Sequence, residues 1–119
     1  MYLKAMTLNY DNYTPKVVSP KDLQIVNTIA GKQIRIKRDC FIKKNSLKCI
    51  AFLMDETFIV KKVTYHVHLS CGYMETELVE EGDEVVGFTL HFDNFGHNGL
   101  FTNMEFTSVR QMNNYLNVI

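Results

Sequence analysis

Residues 57–69 read TFIVKKVTYHVHL, and this stretch decides the fold. Apolar residues recur at every second position, with Lys61 as the one exception in the series Ile59, Val63, Tyr65, Val67 and Leu69. The polar residues Thr64, His66 and His68 occupy the alternate positions. Alternation with a period of two predicts a β-strand that has one buried and one solvated face.

Further strands are predicted on both sides of this one. The stretches with strand character are 2–10, 33–43, 48–54, 73–80, 84–93 and 100–106. The linkers between most of them are short and carry Asn, Asp, Ser or Gly, which favour hairpins between consecutive strands. Consecutive hairpins predict an antiparallel meander of five to six strands.

The predicted hairpin between strands 57–69 and 73–80 indicates which residues lie opposite each other. A two-residue loop at 71–72 places His68 opposite Glu75. In the same register, His66 lies opposite Glu77. A slip of one residue would turn the acidic side chains toward the core, so the pattern specifies which face is polar.

Two helices are predicted outside the strands. Ser19 and Pro20 are typical of a helix start, because a serine side chain caps the first turn and proline suits its first position. Gly31 is typical of a helix end, and a second helix is predicted over 108–117. The elements together predict a single α+β domain over 1–119, with both helices packed on one face of the sheet.

Composition indicates a cytoplasmic protein. The three cysteines, at positions 40, 49 and 71, are odd in number and lack CxxC spacing, which argues against a disulfide framework. No apolar run reaches the length of a signal peptide or a membrane span. We therefore expect a cytoplasmic protein that has no membrane segment and no cofactor.

Charge is sorted along the chain although its total is zero. The stretch from Lys32 to Lys62 has nine basic and three acidic residues, a local charge of +6. The stretch after Lys62 has eight acidic residues and only Arg110 to oppose them, a local charge of −7. Local fields of opposite sign steer and select charged partners.

The histidine–glutamate face suggests one alternative function. His66 and His68 project side by side from one strand, a spacing that suits metal chelation. His91 from a neighbouring strand and Glu75 or Glu77 would supply the remaining ligands of the metal ion. The same residues also suit a solvated face on which Glu and His pair across strands.

The basic stretch suggests a second alternative, the binding of nucleic acid. A sheet that presents basic side chains resembles a platform for single-stranded nucleic acid. The candidates are Arg35, Lys37, Arg38, Lys43, Lys44 and Lys48. The chain as a whole is not basic and has no nucleic-acid motif, so a solvated edge strand protected by lysines explains the stretch equally well.

The interpretation that the sequence favours is a small cytoplasmic protein-binding module and not an enzyme. No phosphate-binding loop, catalytic triad or paired-acid signature is present. Short motif-free inhibitors, such as toxin-neutralising immunity proteins and phage-encoded inhibitors, have this general form. Such a protein would act by charged occlusion of its partner, for example a basic toxin or enzyme. Its predicted partner-binding residues are Glu75, Glu77, Glu80, Glu81 and Asp83, with Phe95 and His97 in a recognition loop.

Overall fold

The computed structural model describes residues 2–3, 16–38, 40–44, 47–51, 54–92 and 103–119. This part of the chain is mixed α+β, as predicted, and its strand pairings are antiparallel. The helices are α1 (Pro20–Val26) and α2 (Val109–Tyr115). The strands are β1 (Tyr2–Leu3), β2 (Gln33–Ile36), β3 (Cys40–Lys44), β4 (Leu47–Ala51), β5 (Thr57–Leu69), β6 (Gly72–Thr76), β7 (Val85–Phe92), β8 (Asn103–Phe106) and β9 (Leu116–Val118). No helix in these ranges has the length and hydrophobicity that a bilayer span requires.

The strand β5 organises the larger of two sheets. One of its edges pairs with β7, and the other pairs with β2 near the start of β5 and with β6 near its end. The order across this six-stranded sheet is β8-β7-β5-β2-β9, with β6 attached beside β5. The strands β1, β3 and β4 form a separate three-stranded sheet. The predicted strand 33–43 is therefore two strands that belong to different sheets.

The predicted meander is wrong, because β7 pairs with β5 and not with β6. Every residue of β7 except His91 is buried, whereas β6 is exposed along nearly its whole length. A strand with both faces covered belongs in the middle of a sheet, so β7 lies between β5 and β8. Residues 77–84 carry the chain from one edge of β5 to the other.

The hairpin between β5 and β6 differs from its predicted register by two residues. Its turn is residues 70–71, which places His66 opposite Glu75. Gly72 has a φ of 97°, and a left-handed residue directly after a turn lets the second strand rejoin the ladder. Because side chains alternate with a period of two, this shift leaves every side chain on its predicted face.

The interruption at Lys61 in the alternation of β5 is a β-bulge. The register between β5 and β7 shifts between Val60 and Lys62. Before the bulge, Phe58 and Val60 face the core, while Ile59, which the alternation places there, is 37% exposed. One extra residue in a strand exchanges the two faces on either side of it.

Both predicted helix starts are confirmed. The Ser19 hydroxyl accepts a hydrogen bond from the backbone N–H of Asp22 at 3.1 Å and so caps α1. Ser108 caps α2 in the same way. The helix α1 ends at Val26, before the predicted Gly31, but Gly31 has the left-handed φ expected of it, 85°.

The two helices share one hydrophobic core with the larger sheet. The core members supplied by the helices and by β2, β5, β7, β8 and β9 include Val26, Ile34, Ile36, Phe58, Val60, Phe88, Leu90, Phe106, Met112 and Leu116. Asp22 also links the helices directly, because its Oδ2 accepts a hydrogen bond from the backbone N–H of Val109 at 3.2 Å.

The C-terminal prediction is correct for the helix and misses a strand. The predicted helix 108–117 ends at Tyr115, and residues 116–118 form β9, which pairs with β2. Leu116 is completely buried, and its spacing suits a helical stripe as well as a strand. Of the predicted strand 2–10, only β1 lies within the described ranges.

Candidate functional site

A layer of polar side chains occupies one face of β5, β6, β7 and β8. Its members are Thr64, His66, Tyr73, Glu75, Thr89, His91 and Glu105. The sequence predicts that this face is solvated, and that prediction is wrong, because Thr64, His66, Thr89 and Glu105 are buried. Alternation along a strand distinguishes two faces, but it does not tell whether the polar one is covered.

Thr64 is the centre of the first hydrogen-bonded group in this layer. Its Oγ1 lies 2.8 Å from Nε2 of His91 and contacts Oε1 of Glu75. The same Nε2 lies 3.3 Å from Oε1 of Glu75. The strands β5, β6 and β7 each contribute one of these three side chains, so the group forms only when the sheet is assembled.

The protonation states of this group follow from its surroundings. Burial lowers the pKa of His91 below its ordinary value, and Lys62 adds to this effect while Glu75 partly opposes it. Burial alone would raise the pKa of Glu75, but the hydrogen bond from Thr64 and the positive charge of protonated His66 and His91 outweigh it and lower that pKa. At neutral pH the group therefore holds a carboxylate and a neutral imidazole.

These states give the hydrogen bonds a direction. A carboxylate only accepts, so the Thr64 hydroxyl donates to Glu75, and its oxygen accepts from the Nε2–H of His91. In a catalytic triad, the nucleophilic hydroxyl instead donates to one imidazole nitrogen, and the carboxylate accepts a hydrogen bond from the other imidazole nitrogen. The three residues thus lack the hydrogen-bond order of a catalytic triad, and in this arrangement they hold three strands together.

The other two histidines of the proposed metal shell have separate contacts. Nε2 of His66 lies 2.7 Å from Oγ1 of Thr89, and its ring stacks on Tyr73 with centroids 4.5 Å apart. Nδ1 of His68 lies 3.7 Å from Oε2 of Glu84 at the surface. In the part of the chain with described side chains, no three His, Cys, Asp or Glu residues converge as a metal site.

The acidic residues of the predicted partner surface fall into two groups. Glu75 belongs to the polar layer, and Oε1 of Glu77 lies 3.6 Å from Nζ of Lys62. Glu77 begins the segment between β6 and β7, residues 77–84, here termed the acidic loop, and the other three lie further along it: Glu80, Glu81 and Asp83.

Internal hydrogen bonds hold the acidic loop in shape. At its start, Oγ1 of Thr76 accepts from the N–H of Leu78 at 3.2 Å and donates to the carbonyl of Leu78 at 3.0 Å. Further on, a carboxylate oxygen of Asp83 accepts from the N–H of Glu80 at 2.8 Å. Gly82 supplies the left-handed residue of this turn, with a φ of 88°. The loop therefore presents its side chains from a defined backbone.

The acidic loop also presents apolar side chains to solvent. Leu78 is 80% exposed, and Val79 beside it is also exposed. These two residues line one part of an open groove of about 450 Å³. The rest of the lining comes from β5, from the segment after α1 and from the start of the loop: Asn27, Ala30, Lys61, Lys62, Val63, Tyr65 and Glu77. The Tyr65 hydroxyl donates a hydrogen bond to Oδ1 of Asn27 and so joins β5 to the end of α1 across the groove.

Two of the predicted nucleic-acid-binding residues contact α2. Nζ of Lys37 donates to the carbonyl of Asn113 at 2.6 Å, where a cation is favoured by the helix dipole. The guanidinium of Arg38 lies 5.0 Å from the ring centroid of Tyr115, a cation–π distance. Arg35 lies on β2 and is exposed. These contacts give Lys37 and Arg38 a structural role.

The remaining basic candidates lie on the smaller sheet. Lys43 and Lys44 belong to β3, and Lys48 belongs to β4. The register places Lys43 directly opposite Lys48. Side chains of this sheet, and the predicted recognition residues Phe95 and His97, lie outside the part of the chain whose side chains are described.

Sequence reasoning missed the groove and the exposed Leu78 in its lining. The stretch 73–80 is predicted as one strand, whereas β6 ends at Thr76 and Leu78 lies in a loop. The available signal was the apolar pair Leu78-Val79 between acidic residues, which is an unusual place for two large apolar side chains. No protein-family model, no curated protein and no solved structure matches this chain, so its function has to be argued from the surface described above.

Proposed function

We propose that the protein is a small cytoplasmic binding module that inhibits another protein by occupying its surface. The observation that carries this proposal is Leu78, which is 80% exposed in a loop whose backbone is fixed by hydrogen bonds. Neighbouring apolar side chains that are exposed together and rimmed by polar residues mark contact sites for other proteins, and Val79 beside Leu78 is also exposed. Burial of such a side chain in a complex contributes about 2 kcal/mol.

The residues around Leu78 suit the anatomy of an interface. Stable interfaces have an apolar centre that is surrounded by polar and charged side chains. Here Leu78 and Val79 supply the apolar centre, and Glu80 and Glu81 follow directly in the chain. Within the described ranges, no ion pair involves Glu80 or Glu81. Their charges therefore remain available to a partner.

The charge of the loop favours a basic partner. Opposite potentials on two surfaces raise the association rate and exclude partners of the wrong sign. A basic toxin or enzyme, of the kind that an immunity protein or a phage-encoded inhibitor would neutralise, would present the complementary surface. In this proposal the module acts by covering its partner and performs no chemistry itself.

A pull-down of the tagged protein from its native cells tests the proposal. We expect one dominant protein at stoichiometric yield, identified by mass spectrometry. The double variant Glu80→Lys/Glu81→Lys should weaken that complex about tenfold or more and slow its association. The matched control is Lys16→Glu/Lys21→Glu, which reverses two exposed charges outside the acidic loop and should leave the affinity nearly unchanged.

Two outcomes would contradict the proposal at different points. If the wild-type protein retains no protein partner, the binding function itself is wrong. If the double variant retains the partner as tightly as the wild type, the acidic loop is not the binding surface.

The pairing of Lys43 with Lys48 favours a second candidate function, the binding of nucleic acid. Like charges directly opposite each other weaken a strand pair, and a bound phosphate backbone would offset that cost. We expect any such affinity for single-stranded DNA or RNA to fall steeply as salt is added, because bound counterions are released. Absent or salt-independent binding would rule this function out.

A further inference from the structure

The groove beside the acidic loop lies at a break in the pairing of β5. On this edge, β2 pairs with residues 57–59, and β6 pairs with residues 65–69. Both backbone groups of Val60 are bonded on this same edge: its carbonyl accepts from the N–H of Gly31 at 2.8 Å, and its N–H donates to the carbonyl of Lys32 at 2.9 Å. No strand in the described ranges pairs with residues 61–64 on this edge.

The dimensions of the break indicate what it can hold. Four residues of a strand span about 13 Å. Both β2 and β6 run antiparallel to β5, so they close the break at its two ends. An added peptide strand would have to turn sharply to enter and to leave. A single large side chain that enters from solvent needs no such turn, and 450 Å³ lies within the range of about 300–1,000 Å³ typical of binding sites.

The lining favours an aromatic side chain. Val63, Leu78 and Val79 supply apolar surface, and Tyr65 supplies an aromatic ring that its hydrogen bond to Asn27 holds in place. Lys61 and Lys62 line the groove and repel a positively charged side chain of a partner. The ammonium group of Lys61 would instead be attracted to the face of an aromatic ring.

The surroundings favour basic residues on either side of that anchor. Glu80 and Glu81 follow Val79 in the acidic loop and remain available to a partner. Lys62 is already paired with Glu77. A flanking residue that lies over the acidic loop therefore meets the negative charges of Glu80 and Glu81, and complementary charge selects the partner.

We propose that this groove is an anchor site for an aromatic side chain that the partner presents between basic residues. This inference rests on the proposed binding function and specifies the chemistry of the partner at one point of the interface. An aromatic anchor in a central pocket, ringed by charged contacts, is the usual form of an interface hot spot.

Short peptides test the anchor without knowledge of the partner. The ¹⁵N-labelled protein is titrated with the acetylated, amidated tripeptides Lys-Trp-Lys, Lys-Ser-Lys and Glu-Trp-Glu, and amide shifts are followed by NMR. We expect saturable shifts with Lys-Trp-Lys alone, confined to residues 61–65 and 77–81. Absence of saturable shifts with Lys-Trp-Lys overturns the proposal. Equal binding of Glu-Trp-Glu overturns the choice of a basic partner, and equal binding of Lys-Ser-Lys overturns the aromatic anchor.

A pair of matched variants locates the site. Leu78→Ser should weaken Lys-Trp-Lys binding about tenfold, because it removes apolar surface from the groove. Val17→Ser, which changes an exposed apolar residue outside the groove, should leave that binding unchanged. Neither change touches the core, so both variants should melt as the wild type does. If Leu78→Ser binds the peptide normally, the groove is not the anchor site.

The same variants distinguish the anchor from the binding function. A partner that is captured by the wild type and by Leu78→Ser, but lost by Glu80→Lys/Glu81→Lys, would leave the binding function intact and refute the anchor.

Discussion

The substitution Thr64→Val tests whether the polar layer stabilises the sheet. Valine keeps the shape of threonine, so the change removes the hydroxyl without opening a cavity. That hydroxyl donates to the Glu75 carboxylate and lies 2.8 Å from the His91 ring nitrogen. A hydrogen bond to a charged group contributes about 1.5–3 kcal/mol and a neutral one about 0.5–1.5 kcal/mol. Because Glu75 and His91 remain 3.3 Å apart and can pair directly, we expect a net loss of about 2 kcal/mol.

Urea denaturation measures this loss. The unfolding midpoint should fall while the slope of the free energy against urea stays constant, since the variant exposes the same surface on unfolding. For a chain of 119 residues, a loss of 1 kcal/mol lowers the melting temperature by about 4 °C, so the melting temperature should drop by about 8 °C.

The matched control is Thr57→Val in the same strand. Thr57 is exposed, so this change should alter stability by less than about 0.5 kcal/mol. A double-mutant cycle with Glu75→Ala, which removes the acceptor, isolates the bond between Thr64 and Glu75, and we expect a coupling of about 1 kcal/mol. A cost of Thr64→Val no larger than that of the control, or a coupling of zero, would refute the stabilising role of this group.

Two further predictions concern pH and the groove. Because the pKa values of His91 and Glu75 lie below their ordinary values of 6.5 and 4.5, the unfolded chain binds protons more readily than the fold does. The urea midpoint should therefore decline as pH falls below about 6.5 and again below about 4.5, and His91→Gln should reduce the first decline; a constant midpoint between pH 7.5 and 5.5 would contradict this. Tyr65→Phe removes the hydroxyl that donates to Asn27 and should cost about 1 kcal/mol in the same assay, whereas an unchanged midpoint would show that this bond does not contribute.

Local patterns predicted the elements better than their arrangement. The bounds of β5 and the cap at Ser19 follow from alternation and from capping chemistry, which act over a few residues. The pairing partner of β7 was not predicted. Burial of both faces of β7 favours its place between β5 and β8, whereas the short linker predicted between β6 and β7 suggested that these two strands pair with each other.

The candidate site shows the same limit. Alternation correctly groups Thr64 and His66 on one face, and it correctly places Glu75 on that face despite a register error of two residues. It does not predict that His66 is buried, because burial of a polar face depends on which side chains pack over it, as the ring of Tyr73 does on His66. The exposure of Leu78 was also missed, because it depends on β6 ending at Thr76.

The pairing of β2 with β9 has a consequence for biosynthesis. Ile34 lies opposite Val118, so the edge of β2 that faces away from β5 is covered by residues that are synthesised long after β2. While the ribosome is still adding those residues, the edge of β2 has unsatisfied backbone groups and can pair with another nascent chain. The three residues of β9 therefore protect this edge of β2 from pairing with another chain.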